Sequence, residues 1–232
     1  MTMQKFKIII DVLLTVFLLL LMPYGLVGEA AHEWIGAGMF VLFILHHILN
    51  RKWMSHIIKG KYPAFRIVQT VLVFLILICI LGSMASGILL SRHVFAFIHI
   101  RGVSVAAGTV HMVCAYWGFA LMSLHLGLHW GMMLGAVRKL FAKPEAEKYW
   151  KAKTWITRLL GVAIAAYGLG AFVRRDLLSY MLLRVHFVFF DYSEPALSYI
   201  FDCAAVMGMV VFLGHYLGRG LQRIGKRRRR EH

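Results

Sequence analysis

Long uninterrupted runs of apolar residues dominate this chain. Six of them are long enough for a bilayer-crossing helix, which needs about 20 mostly apolar residues; they lie at 8–28, 32–49, 67–90, 103–137, 155–173 and 196–217. The fourth run exceeds one bilayer crossing, so one of its ends should tilt or project into water. No alternation of polar and apolar residues marks the strands of a barrel. The pattern predicts an all-α integral membrane bundle of six transmembrane helices.

The composition agrees with this prediction. Of the 232 residues, 60% are hydrophobic and 16% are charged, against about 25% charged residues in an ordinary soluble domain. This balance excludes a disordered chain and a disulfide scaffold. A soluble globule is disfavoured because the apolar residues form runs rather than amphipathic stripes. Three cysteines fall inside predicted spans, without the spacing of a metal site or a haem-attachment motif, at Cys79, Cys114 and Cys203.

The basic residues predict the orientation of the bundle. The formal net charge is +16, and with six spans four segments lie on one side: the N-terminus, the second-to-third loop, the fourth-to-fifth loop and the C-terminus. These segments carry all but five of the 26 basic residues, the exceptions being Arg92, Arg101, Arg174, Arg175 and Arg184. The positive-inside rule therefore places both termini in the cytoplasm. The arginine run at 227–230 is best explained as a tail facing anionic lipid headgroups, not as a nucleic-acid site.

We divide the chain into three parts. Residues 1–140 hold the first four spans and form the predicted core, and residues 141–154 are a charged stretch typical of an amphipathic linker on the cytoplasmic surface. Residues 155–232 form a two-helix C-terminal extension with a basic cytoplasmic tail. A cleaved signal peptide is the alternative for the first apolar run. We favour a span, because the run is long enough and its removal would break the alternation of charge between loops.

Two pairs of histidines recur at one spacing. His32 and His46 lie 14 residues apart in the second span, and His111 and His125 lie 14 residues apart in the fourth. Fourteen residues turn a helix through about 1400°, about 40° short of four turns, and rise about 21 Å. The members of each pair therefore share one face of their helix. Because both spans run from outside to inside, His32 should face His111 near the outer surface, and His46 should face His125 nearer the inner surface.

Facing histidines of this kind are suited to haem. An imidazole on each side of a flat macrocycle gives iron two axial nitrogens, the arrangement of a bis-histidine haem b. The spacing therefore predicts two haem b groups stacked across the membrane between the second and fourth spans, with the four histidines as iron ligands. A plain zinc or copper site fits poorly, because histidines 14 residues apart cannot reach one ion with bonds of about 2 Å.

Small and basic residues accompany the histidine pairs. Gly118 lies midway between the two histidines of the fourth span, and Gly36 lies one turn after His32. At both positions a macrocycle would need room beside the helix. Haem propionates point towards the membrane surface and favour cationic partners. Arg101 and Arg92, in the outer loop between the third and fourth spans, are therefore candidate partners for the outer haem.

Two other histidines compete with the chosen ligands. His47 is the rival of His46, but its spacing of 15 rotates it about 60° from the direction of the outer ligand on its span. His129 is the rival of His125; it lies 18 residues after His111, about 27 Å away, which is too deep to face His46. Single histidines in spans also serve as hydrogen-bonding groups between helices. The spacing nevertheless favours His46 and His125 as the inner pair.

A short motif around the first histidine resembles a known family. The stretch HEWIG at 32–36, followed by His46, the LN pair at 49–50 and Trp53, resembles a family of bacterial membrane cytochromes b that is often named only as a domain of unknown function. Its layout is similar to the cytochrome b subunits of formate dehydrogenase and nickel–iron hydrogenase. The resemblance covers roughly residues 5–140 and implies haem ligation by the same four histidines. It also implies a bacterial cytoplasmic membrane and, because the family is associated with flavin-based extracytosolic electron transfer, a flavin-containing partner.

Together these features predict a membrane electron carrier, the cytochrome b subunit of a quinone-linked oxidoreductase. Two haems along the membrane normal would pass single electrons between partners on its two sides. The chain has no nucleotide- or flavin-binding motif of its own, so a soluble or membrane redox partner is expected. Menaquinone is the candidate lipid partner, with two possible headgroup sites, the outer Arg92/His93/His99/Arg101 cluster and the inner Lys59/His129 region. The alternatives are an ion- or metal-coupled transporter and a cofactor-free anchor subunit of a redox complex.

Overall fold

The computed structural model describes residues 3–57, 59–60, 62–98, 104–141 and 150–228. Within these ranges the chain forms helices, turns and loops and no strand, which confirms the all-α prediction. The helices are α1 (Met3–Leu21), α2 (Tyr24–Val27), α3 (Glu29–Leu49), α4 (Arg51–His56), α5 (Ala64–Leu90), α6 (Ser104–Phe141), α7 (Trp150–Arg174), α8 (Leu177–Met181) and α9 (Ala196–Arg228). Of the predicted linker 141–154, residues 142–149 lie outside the described part, and α7 already begins at Trp150.

Five of the described helices are long and apolar enough to cross a membrane, so the chain is a multi-pass membrane protein. The candidate spans are Glu29–Leu49, Ala64–Leu90, Ser104–Gly135, Trp155–Arg174 and Ala196–Gly225. They coincide with the last five of the six predicted spans. As the length of the fourth apolar run indicated, α6 is one continuous helix of 38 residues. Its length of about 57 Å exceeds the hydrocarbon thickness of about 30 Å.

The first predicted span forms α1, which is not among these five. The helix has 19 residues, and Lys5, Lys7 and Asp11 interrupt its apolar sequence. Its later half is apolar and lies along α3 in the opposite direction. The Phe17 ring of α1 contacts Gly38 of α3. Between these two helices the chain reverses direction, and Gly28 has a φ of 89°, a conformation that glycine adopts without steric cost.

Close helix contacts join the C-terminal helices to the core. α5 and α6 pack side by side, α9 packs along α6 and also contacts α5, and α7 packs against α9. Glycines allow these close approaches. A Cβ atom on Gly127 of α6 would lie 2.6 Å from the carbonyl oxygen of Val211 on α9, and a Cβ atom on Gly168 of α7 would collide with the carbonyl oxygen of Ala205 on α9. Small residues at such contacts are typical of helices packed within a membrane. α9 is therefore docked directly on α6, and α7 is docked on α9.

In contrast, α3 and α6 stand apart. α3 packs extensively against α1, touches α5 sparsely, and has few or no close backbone contacts with α6 among the described residues. Packed helices normally lie 8–10 Å apart, so side chains rather than closely packed backbones span the distance between α3 and α6. We call this space the histidine cleft. His32 and His111 lie at one end, the His32 end; the other, the His46 end, holds His46, His47, His125 and His129.

Candidate functional site

The structure brings His32 and His111 together at one end of the cleft. Their ring centroids are 6.0 Å apart, and the ring planes are inclined at 68°. Two imidazoles bound on opposite sides of one metal ion, with bonds of about 2 Å, have centroids about 6 Å apart. The sequence spacing predicted this pair, and the separation of the two rings is the one expected of two imidazoles that bind one metal ion.

Helix α5 fixes the ring of His111. Its Nδ1 atom lies 3.0 Å from the carbonyl oxygen of Ser83 and 3.1 Å from Oγ of Ser86. Because a carbonyl oxygen only accepts hydrogen bonds, Nδ1 carries the proton, and Nε2 of a neutral ring keeps its lone pair for a ligand. Gly87 leaves room for the ring: a Cβ atom there would lie 3.3 Å from Cε1 of His111. The position and the tautomer of His111 are thus both set by its neighbour helix.

The opposite ring, His32, has an unsatisfied polar atom. Its Nδ1 atom is buried and has no hydrogen-bond partner. The ring otherwise meets Tyr24 edge-on, at a centroid distance of 5.1 Å, and interacts with the backbone carbonyl of Leu21. A buried polar atom without a partner costs about 1–3 kcal/mol. This nitrogen is therefore an atom that a bound ligand or metal would satisfy.

At the other end of the cleft a carboxylate holds His46. Nδ1 of His46 lies 2.7 Å from Oδ1 of Asp11, on α1. Asn50 donates from Nδ2 to the backbone carbonyl of His46 at 2.9 Å and receives a hydrogen bond from Lys7 at 3.1 Å. The same Nδ2 is 3.5 Å from Nε2 of His46, beyond the range of a good hydrogen bond. A carboxylate on one nitrogen and a weakly engaged second nitrogen are characteristic of metal-binding histidines.

The remaining histidines of this end form one cluster with His46. Nδ1 of His125 is buried and lacks a hydrogen-bond partner, and its ring lies 4.7 Å from that of His129. His46 and His47 are within electrostatic range of His125. Nε2 of His129 is 3.1 Å from Nε2 of Gln69, on α5. Because predicted ligands and rivals share this cluster, the assignment of His46 and His125 as the inner pair stays a prediction.

The two predicted cofactor-facing glycines lie at helix contacts. A Cβ atom on Gly118 would be 3.4 Å from Cβ of Cys79, on α5, and one on Gly36 would be 3.8 Å from Leu21, on α1. A Cβ atom would be in ordinary van der Waals contact at either position, so the helix packing does not itself require glycine there. The contact of the two glycines with a macrocycle stays a prediction.

The predicted arginine partners lie at or beyond the edge of the described structure. The side chain of Arg92 is 77% exposed, and its Nε atom lies 3.5 Å from a carboxylate oxygen of Glu29. Arg101 and His99 lie outside the described residues. The role of the two arginines as propionate partners stays a prediction.

Glu33, within the HEWIG motif, fastens the loop that follows α5. Its carboxylate accepts hydrogen bonds from the backbone N–H groups of Arg92, His93 and Val94 at 2.8–3.0 Å and from Oγ of Ser91 at 2.6 Å. The ligand atoms of Glu29, Glu33 and His93 lie within 4.8 Å of one another, but these hydrogen bonds already occupy the oxygens of Glu33. We therefore assign this cluster to loop anchoring.

Asp202, the most buried acidic side chain among the described residues, is fully paired. Its carboxylate is 4% exposed and accepts hydrogen bonds from Arg174 at 2.7 Å, from Arg175 at 2.8 Å and from the Tyr167 hydroxyl at 2.9 Å. Arg175 also bonds Glu194 at 2.6 Å. A transporter would need acidic groups in its spans that are free to bind and release ions. The two that the sequence offers are engaged, Asp11 by a histidine and Asp202 by two arginines.

No model of a known protein family, no curated protein and no solved structure matches this chain.

Proposed function

We propose that this protein carries electrons across a bacterial cytoplasmic membrane through two bis-histidine haem b groups held in the histidine cleft. The observation that carries the proposal is the His32–His111 pair, with ring centroids 6.0 Å apart. One ring has its Nδ1 proton fixed by a carbonyl, and the other has a buried Nδ1 without a partner. Both properties are expected of imidazoles that share one metal ion.

The ligand set favours haem over a simple metal ion. A protein zinc site takes three or four protein ligands. Around His32 and His111, the described residues supply no third histidine, cysteine or carboxylate ligand that would complete such a site. Two axial nitrogens suffice for haem, because the macrocycle itself provides the other four ligands. α3 and α6 also have few or no close backbone contacts among the described residues, as expected of two helices that would hold a flat group between them.

The protein residues have distinct roles in this proposal. His32 and His111 would hold the haem at one end, and His46 and His125 the haem at the other, about 21 Å away along the helices. Asp11 orients the His46 ring through their hydrogen bond. Bound haem supplies one-electron redox chemistry. The surrounding apolar helices exclude water and lower the local dielectric, which tunes the redox potential.

Helix α1 is the sixth span in this proposal. Its 19 residues reach about 28 Å, close to the hydrocarbon thickness. Two of its three charged side chains have partners, because Asp11 bonds His46 and Lys7 bonds Asn50. With six spans both termini lie on the cytoplasmic side, the side that carries the basic loops.

The electron donor and acceptor are other molecules, because the sequence has no nucleotide- or flavin-binding motif. We propose menaquinone as the lipid partner and a soluble or membrane redox protein, flavin-containing in the family that the sequence resembles, as the other. The protein would then act as the cytochrome b subunit of a quinone-linked oxidoreductase.

Absorption spectroscopy of the purified full-length protein tests this proposal. We expect a red protein with a Soret band that shifts on reduction with dithionite and a pyridine haemochrome content of two haems per chain. The variant His111→Ala should retain one. The matched control is His215→Ala, which removes a half-buried histidine of α9 outside the cleft and should retain both. Colourless protein from haem-replete cells would support the anchor or transporter alternatives, and an unchanged haem content in His111→Ala would refute the pairing.

A further inference from the structure

A second cavity lies away from the paired histidines of the cleft, beside the beginning of α5. Its volume is about 360 Å³, within the usual range of about 300–1,000 Å³ for small-molecule sites. Its walls come from α4, the loop after α4 and the first turns of α5. The side chains that matter for its chemistry are Trp53, His56, Lys59, Phe65, Arg66 and Gln69.

The charge of this cavity has one sign. Three of its lining residues are basic or can be protonated, His56, Lys59 and Arg66, and none of those that the structure describes is acidic. Arg66 is held in place: its guanidinium donates to the backbone carbonyl of His56 and lies 4.3 Å above the centre of the Tyr62 ring. An anion in this cavity would therefore contact the fixed guanidinium of Arg66, and Lys59 also lines the cavity.

The cavity lies where the membrane surface is expected. It adjoins the first residues of the candidate span Ala64–Leu90, and tryptophan and tyrosine, the aromatic residues enriched at membrane interfaces, lie at or beside it. This end of the span also joins one of the loops rich in basic residues. The cavity is thus at the depth of lipid headgroups.

An apolar track leads from the cavity into the membrane. Val73 and Leu77 follow Arg66 at spacings of 7 and 11 residues, which place them on the same face of α5, and both are only half-buried. Phe74 and Ile78, exposed at 51% and 63%, widen this track on one side. The 11 residues rise about 16 Å, close to half of the hydrocarbon thickness. One leaflet of acyl chains has this length.

We propose that the cavity binds the headgroup of an anionic phospholipid, whose acyl chains lie along this face of α5. Basic pockets at the cytoplasmic ends of membrane helices suit such headgroups, and each basic residue near an anionic membrane surface contributes about 1 kcal/mol. A quinone ring is uncharged and makes no use of the cationic side chains of Lys59 and Arg66. Free phosphate makes no use of the apolar track. The proposal does not depend on haem binding.

Its position gives the bound lipid a structural role. Gln69 lines the cavity and also contacts His129, at the His46 end of the histidine cleft. A lipid headgroup in the cavity would therefore lie one side chain away from that cluster. The lipid would cover a polar opening at the base of α5 that neighbouring helices leave uncovered.

Native mass spectrometry of the full-length, delipidated protein in detergent tests the proposal. We expect dioleoyl-phosphatidylglycerol to bind at least about fivefold more tightly than dioleoyl-phosphatidylcholine. Lys59→Gln should weaken phosphatidylglycerol binding about fivefold, the equivalent of the 1 kcal/mol expected for one basic residue, and should leave phosphatidylcholine unaffected. The control Lys52→Gln removes an exposed lysine of α4 that does not line the cavity, and it should retain the preference.

Competition measurements distinguish the possible occupants. Millimolar inorganic phosphate should leave phosphatidylglycerol bound, and dihexanoyl-phosphatidylglycerol, which lacks long chains, should bind more weakly than the dioleoyl lipid. Equal binding of the two dioleoyl lipids, or equal losses in Lys59→Gln and Lys52→Gln, would overturn the proposal. So would displacement by inorganic phosphate, which would assign the cavity to a free anion, or stoichiometric displacement by a menaquinone analogue.

Discussion

The C-terminal helices and the histidine cleft differ in whether their buried polar groups have hydrogen-bond partners. Asp202, on α9, is 4% exposed and has two arginines and a tyrosine hydroxyl as partners. In the cleft, His32 and His125 each keep a buried Nδ1 atom without a hydrogen-bond partner. Leaving such atoms unsatisfied costs about 1–3 kcal/mol each. The buried acidic group of the C-terminal region is therefore satisfied by the chain itself, whereas the cleft keeps two polar atoms that the chain leaves unsatisfied.

The C-terminal helices are also more closely packed than the two helices that border the cleft. Glycines bring α9 to within van der Waals contact of both α6 and α7, whereas α3 and α6 lack such an approach in the described structure. A region without a ligand site gains stability from close packing, and a ligand site needs open volume. This comparison predicts that substitutions near Asp202 change stability alone, and that substitutions in the cleft change cofactor content.

The largest effect on stability is expected from Asp202→Asn. The variant removes the charge that pairs with Arg175, whose side chain is 18% exposed, and breaking a buried ion pair costs about 3–5 kcal/mol. Denaturant unfolding of the protein in detergent measures the loss. The haem content of the folded fraction should stay at two per chain. The control Asp191→Asn, in an exposed turn, should change stability little; a loss of haem from folded Asp202→Asn protein would show that the two regions are coupled.

Gly87→Leu tests the cleft. The new side chain would push against Cε1 of His111, which lies 3.3 Å from the Cβ position, and would displace the ring from Ser83. We expect the haem content to fall from two to one per chain, measured as pyridine haemochrome. Gly131→Leu is the matched control, because the space around its Cβ position is open. Two haems in Gly87→Leu would mean that the His111 ring does not need its place against α5.

The next effect is expected at Asp11. Asp11→Asn replaces the carboxylate that bonds His46, and loss of such a supporting partner weakens metal binding about 10- to 100-fold. Transfer of haem to an excess of a haem-scavenging protein should therefore become faster for one of the two haems. Asp176→Asn is the control, since Asp176 lies at the start of α8 with a φ of 48°, which asparagine tolerates. Equal transfer rates in both variants would remove Asp11 from the site.

Helical geometry explains what the sequence predicted. The apolar runs correctly identified five spans, because length and hydropathy are local properties. The 14-residue spacing predicted that His32 would meet His111, since any two neighbouring helices with these positions on facing sides bring them together. Both inferences use only the pitch and the rise of a helix.

The site residues on neighbouring helices could not be predicted from the sequence, because their contacts depend on the rotation and register of each helix. Ser83, Ser86 and Gly87 were absent from the predicted site, although two hydroxyls within an otherwise apolar run were a visible signal. Gly118 and Gly36 were assigned to a macrocycle, but spacing does not specify which neighbour a glycine faces, and both lie at helix contacts. For the same reason the sequence could not foresee that all four inner histidines would form one cluster.

The smallest expected effect concerns pH and the C-terminal region. Glu194 hydrogen-bonds to Arg175 outside the spans, and this contact holds the pKa of Glu194 below its ordinary value. A carboxyl group with a lowered pKa in the folded state contributes stability above its unfolded pKa of about 4.3 and loses it as the pH falls through the folded pKa. The melting temperature should therefore decrease from pH 5 to pH 3 more steeply in the wild type than in Glu194→Gln. Parallel curves would mean that the Glu194–Arg175 contact adds nothing to stability, and that Asp202 is the only acidic partner of Arg175 with a measurable contribution.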